Sequence, residues 1–445
     1  MYIKQAQEIF SSAINAVQPH VLLPYHVYID KEILHIAGEK INISSITNVV
    51  VIAAGKAAPA MAKVAEKQLE NLITKGICIT KYEHAVPLCK FQTTEAAHPV
   101  PDNNSILAGR IVMEAVKHLS ANDIVLVLLS GGASSLVADM PGGITLEEMQ
   151  LVFKLLVNSG ASIQEINIVR KHLSKIKGGQ LAKSAYPAKV FTLIISDVVD
   201  DDLSSIASGP TVPDSSTFED AYNILIRYNI WIQISESVKT YIVKGQKNEI
   251  DETPKPGSVY FKNTFSKIIG NNLVALEAAK IKATQLGYNT VFFEEKMTGN
   301  TEKEARQFVR YLLDYPGILP ACILRGGETT LKVTGSGKGG RNQHFALCAL
   351  DELLNKNKIQ QKRKIVILSG GTDGTDGPTD ATGAVIDPEM YKPGSIHKEI
   401  LKEHLAHFDA YTFFAKSGGL VKTGPTQTNV MDIVIGLIVD HGFIV

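Results

Sequence analysis

Cysteine is scarce in this chain: four of 445 residues, Cys78, Cys89, Cys322 and Cys348. They include no C-x-x-C pair, so neither a disulfide framework nor a cysteine zinc site is expected, and all four read as reduced thiols in or near the core. An excess of one charge is missing too, since Lys+Arg and Asp+Glu both number 45. Without a global field, no nucleic-acid or acidic-membrane partner is expected. Long apolar runs are lacking. The longest, such as Ile124–Leu129 and Ile433–Val439, fall far short of the ~20 residues that cross a bilayer. The opening MYIKQAQEIFSSAINAVQPH carries no continuous apolar stretch of the secretory kind. Its Ile3, Ala6, Phe10, Ala13, Ile14 and Val17 share one helical face instead, which predicts a docked surface helix in a cytoplasmic protein. The G-x-x-x-x-G-K-[ST] loop does not occur, and the one G-x-G-x-x-G spacing, Gly335–Gly340, lies far from the first-half strands, none of which is followed by a dinucleotide fingerprint.

What is present is a repeated theme. A short β-branched run ends in Gly, Ser or Asp and leads into a segment of helical period. Val49–Ala54 runs into Gly55–Lys56, Ile124–Leu129 into Ser130–Gly131–Gly132, and Val190–Ile195 into Ser196–Asp197. Such runs predict buried parallel strands of a doubly wound α/β sheet, with ligands at their carboxyl ends. The polar, proline-punctuated KGQKNEIDETPKPGSVY over 244–260 is the expected connection between domains 1–245 and 260–445. Beyond it, Lys267–Ile269, Thr290–Phe293, Cys322–Leu324, Ile365–Leu368 and Ile433–Val439 predict a second α/β domain. Thr329–Val333 reads as the return strand of a hairpin, which would make that sheet mixed.

Glycine-rich turns after strands let backbone N–H groups approach an anion. Five occur, and their number favours polyphosphate binding. In the first half Ser130, Gly131, Gly132, Ser134 and Gly209 are the candidate nucleotide-binding residues. In the second half Asn271, Glu328, Gly337, Gly339 and Asn342 join them. Lys56 stands where a strand turns into a helix, so its ammonium and the first N–H groups of the helix would meet one anion. Arg341 follows a run of glycines, and its planar fork suits a carboxylate or a transferring phosphoryl group. Both are expected to be solvated charges whose removal leaves stability nearly unchanged. Asp197, Asp373 and Asp376 are the candidate Mg²⁺ ligands, because Mg²⁺ takes one or two carboxylates with phosphates and water. Asp197 and Asp373 are also the candidate proton acceptors. Asp200–Asp202 read as a solvated turn, and His98, followed by Pro99 and Pro101, as a structural residue of a stiff loop.

GKAAPAM at 55–61, HPVPD at 98–102, LSGGASSL at 129–136, SDVVDDDLSSIASGPTVPD at 196–214, GNN at 270–272, RGGETT at 325–330, GKGGRNQ at 337–343 and SGGTDGTDGPTDATGA at 369–384 together resemble the glycerate 2-kinase family, whose C-terminal part is called MOFRL. The resemblance runs in order over nearly the whole chain. It implies an ATP- and Mg²⁺-dependent kinase that makes 2-phosphoglycerate from D-glycerate. It also implies a Rossmann-like N-terminal domain, a smaller C-terminal α/β domain and an active site in the cleft between them; separately from the resemblance, a monomer or homodimer is expected. The family's active-site lysine and arginine map onto Lys56 and Arg341. Two rival readings are a hydroxypyruvate reductase, which the lack of a dinucleotide fingerprint after the first-half strands counts against, and a non-catalytic protein that binds nucleotide or sugar acid.

Overall fold

The computed structural model describes residues 1–355, 363–390 and 398–440. They form two units, one of Pro19–Ile269 and one of Met1–Gln18 with Gly270–Val445. The first unit opens on an antiparallel meander, β1 (Val27–Asp30), β2 (Ile33–Ile36) and β3 (Glu39–Asn42). Its main sheet holds β4 (Val49–Ala54), β5 (Ile73–Lys81), β6 (Phe91–Ala96), β7 (Ile124–Leu129), β8 (Lys189–Ile195) and β9 (Thr264–Gly270) in the order β6-β5-β4-β7-β8-β9. The pairings from β6 to β8 are parallel. Every residue of β4 and β7 is buried, as a strand covered on both faces requires. The order steps outward from β4 in one direction and then, from β7, in the other. That is the doubly wound arrangement, and its switch point lies between β4 and β7.

The second unit's sheet has the order β10-β11-β15-β12-β13-β14, built from β10 (Asn289–Phe292), β11 (Ala321–Gly327), β12 (Arg363–Gly371), β13 (Gly383–Ile386), β14 (Leu420–Val421) and β15 (Asp432–Asp440). β10 and β11 are parallel, whereas β15 lies antiparallel to both β11 and β12. The sheet is mixed for that reason. The expected hairpin does not form: 329–333 holds no strand and only an isolated bridge from Thr330 to Asn300. The helix Tyr2–Ala16 docks through Ile9, Phe10, Ala13 and Ile14, as its apolar face predicts, and it does so in this second unit.

Three further expectations are corrected. The boundary lies near 269–270, because Lys267–Ile269 belongs to β9 and completes the first sheet. The polar stretch 244–260 is stitched into the first unit. Thr253 is buried and its Oγ1 donates to Asp214, while Glu252 accepts from the backbone N–H of Phe218. Its polarity serves these internal partners as well as solvent. Finally, Cys89 is exposed, whereas Cys78, Cys322 and Cys348 are buried. Among the described residues, no helix is long and apolar enough to cross a membrane.

Candidate active site

In the first unit the candidates gather at the switch point. The turns after β4 and β7 are sewn together: Lys56 N donates to Gly131 O at 2.9 Å, and Ala57 N donates to Ser130 Oγ at 3.0 Å. Gly55 is needed here. It takes φ +127°, and a Cβ on it would stand 2.5 Å from the Ser130 carbonyl oxygen. A Cβ on Gly132 would lie 3.0 Å from His98 Nε2 and 3.6 Å from Lys56 Cγ, so the lysine stem and the imidazole edge flank one glycine. Burial, and then the ammonium groups of Lys56 and Lys81, push the His98 pKa down to about 4. The imidazole is therefore neutral near pH 7. Ser134 Oγ meets Ser208 Oγ at 3.0 Å, and Ser208 Oγ donates to Asn167 Oδ1. Ala207, Ser208 and Gly209 all have positive φ, which folds the loop after β8 back towards this turn. Asp197 is half-buried, two residues beyond the end of β8. Asp202 accepts from Ser204 and Ser205, the turn role that the sequence suggested.

A cavity of about 750 Å³ opens beside this turn, entirely within the first unit. Gly132, Ser134, Ser135 and His98 line one side, and Met149, Phe153 and Val157 of the helix Leu146–Asn158 line another. Arg170 and Lys177 also reach it.

In the second unit a different cluster forms where β11 and β12 end and β15 begins. Asp432 is paired in register with both Gly327 and Gly371. Arg341 opens the helix Arg341–Asn355 and grips Asp432 with two bonds, Nε to Oδ2 at 2.6 Å and Nη2 to Oδ1 at 3.0 Å. Its Nη1 donates to Glu328 Oε1 at 2.7 Å. Arg341 is thus an ion-paired, two-thirds-buried residue, 34% exposed, and the expectation of a solvated charge does not hold. Burial works against its charge, but Asp432 and Glu328 win and raise its pKa. Asp373 lies close by: a Cβ on Gly371 would stand 3.4 Å from Asp432 Oδ1 and 3.5 Å from Asp373 Oδ1.

Asp376 does not suit the metal role expected of it. Its Oδ1 accepts from the Asn342 backbone N–H at 3.0 Å and its Oδ2 from that of Gln343 at 2.8 Å, so both oxygens anchor the start of the helix Arg341–Asn355. Burial raises its pKa to about 6 even though those N–H groups pull the other way. Asn342 is equally committed, its Oδ1 accepting from Ser369 Oγ at 2.7 Å. Asn271 caps the helix Asn272–Gln285 through Val274 N. Gly337 donates to His407 O, and a Cβ there would collide with Asp409. Gly339 has φ +159°. Among the described residues no three His, Cys, Asp or Glu side chains converge as a metal-binding group. Asp373 Oδ1 accepts from the backbone N–H of Thr375 at 3.0 Å and from its Oγ1 at 3.2 Å.

Sequence reasoning missed Asp432 and Arg170. The first was legible as a charge opening an otherwise apolar run, DIVIGLIV. The second sits in Arg170–Lys171–His172, a basic last turn that reads as a partner for the helix dipole.

Comparison with known proteins agrees with this architecture. Residues 5–243 match a domain of unknown function, DUF4147, and residues 321–432 match the MOFRL family. A D-glycerate 2-kinase of Thermotoga maritima is 43% identical, with 98% of each chain covered. A putative hydroxypyruvate reductase of Agrobacterium vitis is 40% identical over 86% of each. The crystal structure of a glycerate kinase (EC 2.7.1.31) from Thermotoga maritima superposes with a TM-score of 0.84 at 40% identity, covering 98% of this chain and 99% of that one. With a doubly wound first unit, a mixed second sheet and similarity along its whole length, the chain belongs to the glycerate 2-kinase family with a C-terminal MOFRL region.

Proposed function

We propose that the chain transfers the γ-phosphoryl group of ATP to the C2 hydroxyl of D-glycerate. The observation that carries this reading is the switch point, where Lys56 and two glycine-rich turns converge at the carboxyl ends of β4 and β7. Ligands of doubly wound sheets bind there, and backbone N–H groups with an ammonium suit phosphate. The hydroxyl oxygen forms the new bond to phosphorus, the bond from phosphorus to the β–γ bridging oxygen breaks, and ADP leaves. The proton released passes to a carboxylate, for which Asp197 and Asp373 are the candidates. Mg²⁺, when bound with ATP, supplies charge neutralisation, with Asp197 or Asp373 as its protein ligand. Lys56 and Arg341 are the cationic groups proposed to stabilise charge during transfer. Such chemistry demands positioning and electrostatics more than covalent steps.

The name carried by the Agrobacterium vitis relative offers a reductase as the second reading, but the turn after β4 reads GKAAPAM and lacks the glycine spacing that seats a dinucleotide. The test is a paired assay. ADP release with D-glycerate, lost in EDTA and restored by Mg²⁺, with a 2-phosphate product identified by NMR, is the expected outcome. Oxidation of NAD(P)H by hydroxypyruvate without ADP release would replace the kinase reading.

A further inference from the structure

Three of the five N–H donors that Arg341 could turn towards a substrate carboxylate are already held by Asp432 and Glu328. A different arginine is placed for that task. Arg170 lies in the last turn of the helix Ile163–His172 and lines the first unit's cavity. Among the described residues no carboxylate or carbonyl pairs with it, and its charge is met only by the Phe153 ring, 5.2 Å from centroid to guanidinium carbon. A largely buried cation without a counter-ion is costly unless a ligand supplies the anion.

Lys177 lines the same cavity and is itself buried. One of its three N–H bonds goes to Val137 O at 2.8 Å, which leaves donors for a second acceptor. The nearby acid, Asp139, is already engaged by Ser174 Oγ at 2.5 Å and by Lys175 N. Ser134, Ser135 and Ser174 line the same cavity. Asn167, one turn before Arg170, is linked through Ser208 to Ser134, whose residue lines the cavity.

We propose that this cavity is the organic-acid site, with Arg170 and Lys177 receiving the carboxylate and the wall of Met149, Phe153 and Val157 receiving the rest of the molecule. As the acceptor site it rests on the kinase reading. The volume adds a statement about substrate class. About 750 Å³ lies within the ~300–1,000 Å³ of pockets that enclose drug-sized ligands, far more than a three-carbon acid occupies. The apolar wall therefore admits 2-hydroxy acids with longer hydrocarbon side chains, such as 2-hydroxy-4-methylpentanoate, alongside glycerate. Burial pulls the Lys177 pKa down to about 8; a carboxylate beside it stabilises its charged form.

Titration calorimetry without nucleotide reads the site directly, with D-glycerate, 2-hydroxy-4-methylpentanoate and ATP as separate ligands. The wild type is expected to bind both acids. Arg170→Gln should weaken both at least tenfold, Arg170→Lys should weaken them less, and ATP affinity should stay within twofold, with melting temperature as control. Phe153→Ala should weaken the longer acid more than glycerate, and it keeps the proposal testable if Arg170→Gln does not fold. Loss of ATP affinity with acid binding intact would make the cavity a nucleotide-phosphate site and overturn the proposal. So would a wild type that binds neither acid. Acid binding without ADP release in the kinase assay would instead sink the kinase reading and leave the site standing.

Discussion

Removing the Arg341 side chain leaves Asp432, 1% exposed, as a buried carboxylate without its bidentate partner. Breaking a buried pair from one side costs about 3–5 kcal/mol. With Arg341 one-third exposed, about 2–3 kcal/mol is expected for Arg341→Ala once solvent screening is allowed for. Turnover should fall much further, on the order of 10³-fold, if the guanidinium also serves the phosphoryl group. The double variant Arg341→Ala/Asp432→Asn separates the two effects, because a neutral amide no longer needs a cation. Chemical denaturation and kcat are the measurements. Recovered stability with turnover still lost supports a direct role, whereas recovered turnover would reduce Arg341 to a support for the strand ends. At this scale the sequence singled out Arg341 but expected the wrong surroundings for it, a solvated charge in place of an ion pair. The glycines before Arg341 marked a close approach of backbone, but its partner lies 91 residues away on β15, and no local pattern encodes that pairing. Asp376 went the same way: turn-like in DGTDGP, it is held by two N–H groups at the start of a helix that begins with Arg341.

The turns after β4 and β7 work as one element, since each supplies the other's hydrogen-bond partners. Gly55→Ala would force a Cβ against Ser130 at a positive φ, where alanine is disfavoured by sterics alone. A loss of about 1–3 kcal/mol is expected, together with a large drop in kcat/KM as Lys56 moves with the turn. Gly142→Ala is the matched control, because a Cβ there meets nothing within 4 Å and φ is ordinary. Equal behaviour of the two variants in melting and turnover would mean that the stitched turn is neither strained nor functional. Strands were legible as elements because β4 and β7 are apolar throughout and end in glycine or serine. β9 was legible as a strand but not as a member of the first sheet. The residues of TFSKIIG cannot show which strand they will pair beside, and that neighbour, β8, lies nearly 70 residues earlier.

The second unit is built from both ends of the chain, with Met1–Gln18 folded into the residues after 270. Phe10 is the anchor of that arrangement: fully buried, its ring covers Gly370 of β12, where an added Cβ would stand 2.6 Å from Phe10 Cζ. Polar ties reinforce it, from Tyr288 OH to Gln5 Oε1 at 2.6 Å and from Thr428 Oγ1 to Val17 O at 2.7 Å. Phe10→Ala should therefore cost about 3–5 kcal/mol, the range for a truncated core aromatic. A urea unfolding midpoint close to wild type would show that the helix is dispensable to that unit's core. The amphipathic face of 2–16 was written in the sequence, because a 3.6-residue period needs only local order, and so were the parallel-strand runs and the glycine-rich turns. Composition likewise set the absence of a global charge field, and the ordered motifs carried the family. Tertiary structure alone decided that the first helix docks more than 250 residues away, that the polar 244–260 segment is tied into the first unit, and that Arg341 is ion-paired while Arg170 faces a cavity. These outcomes depend on pairing between distant segments and on which charges find partners inside the fold, quantities that periodicity and spacing along the chain do not contain.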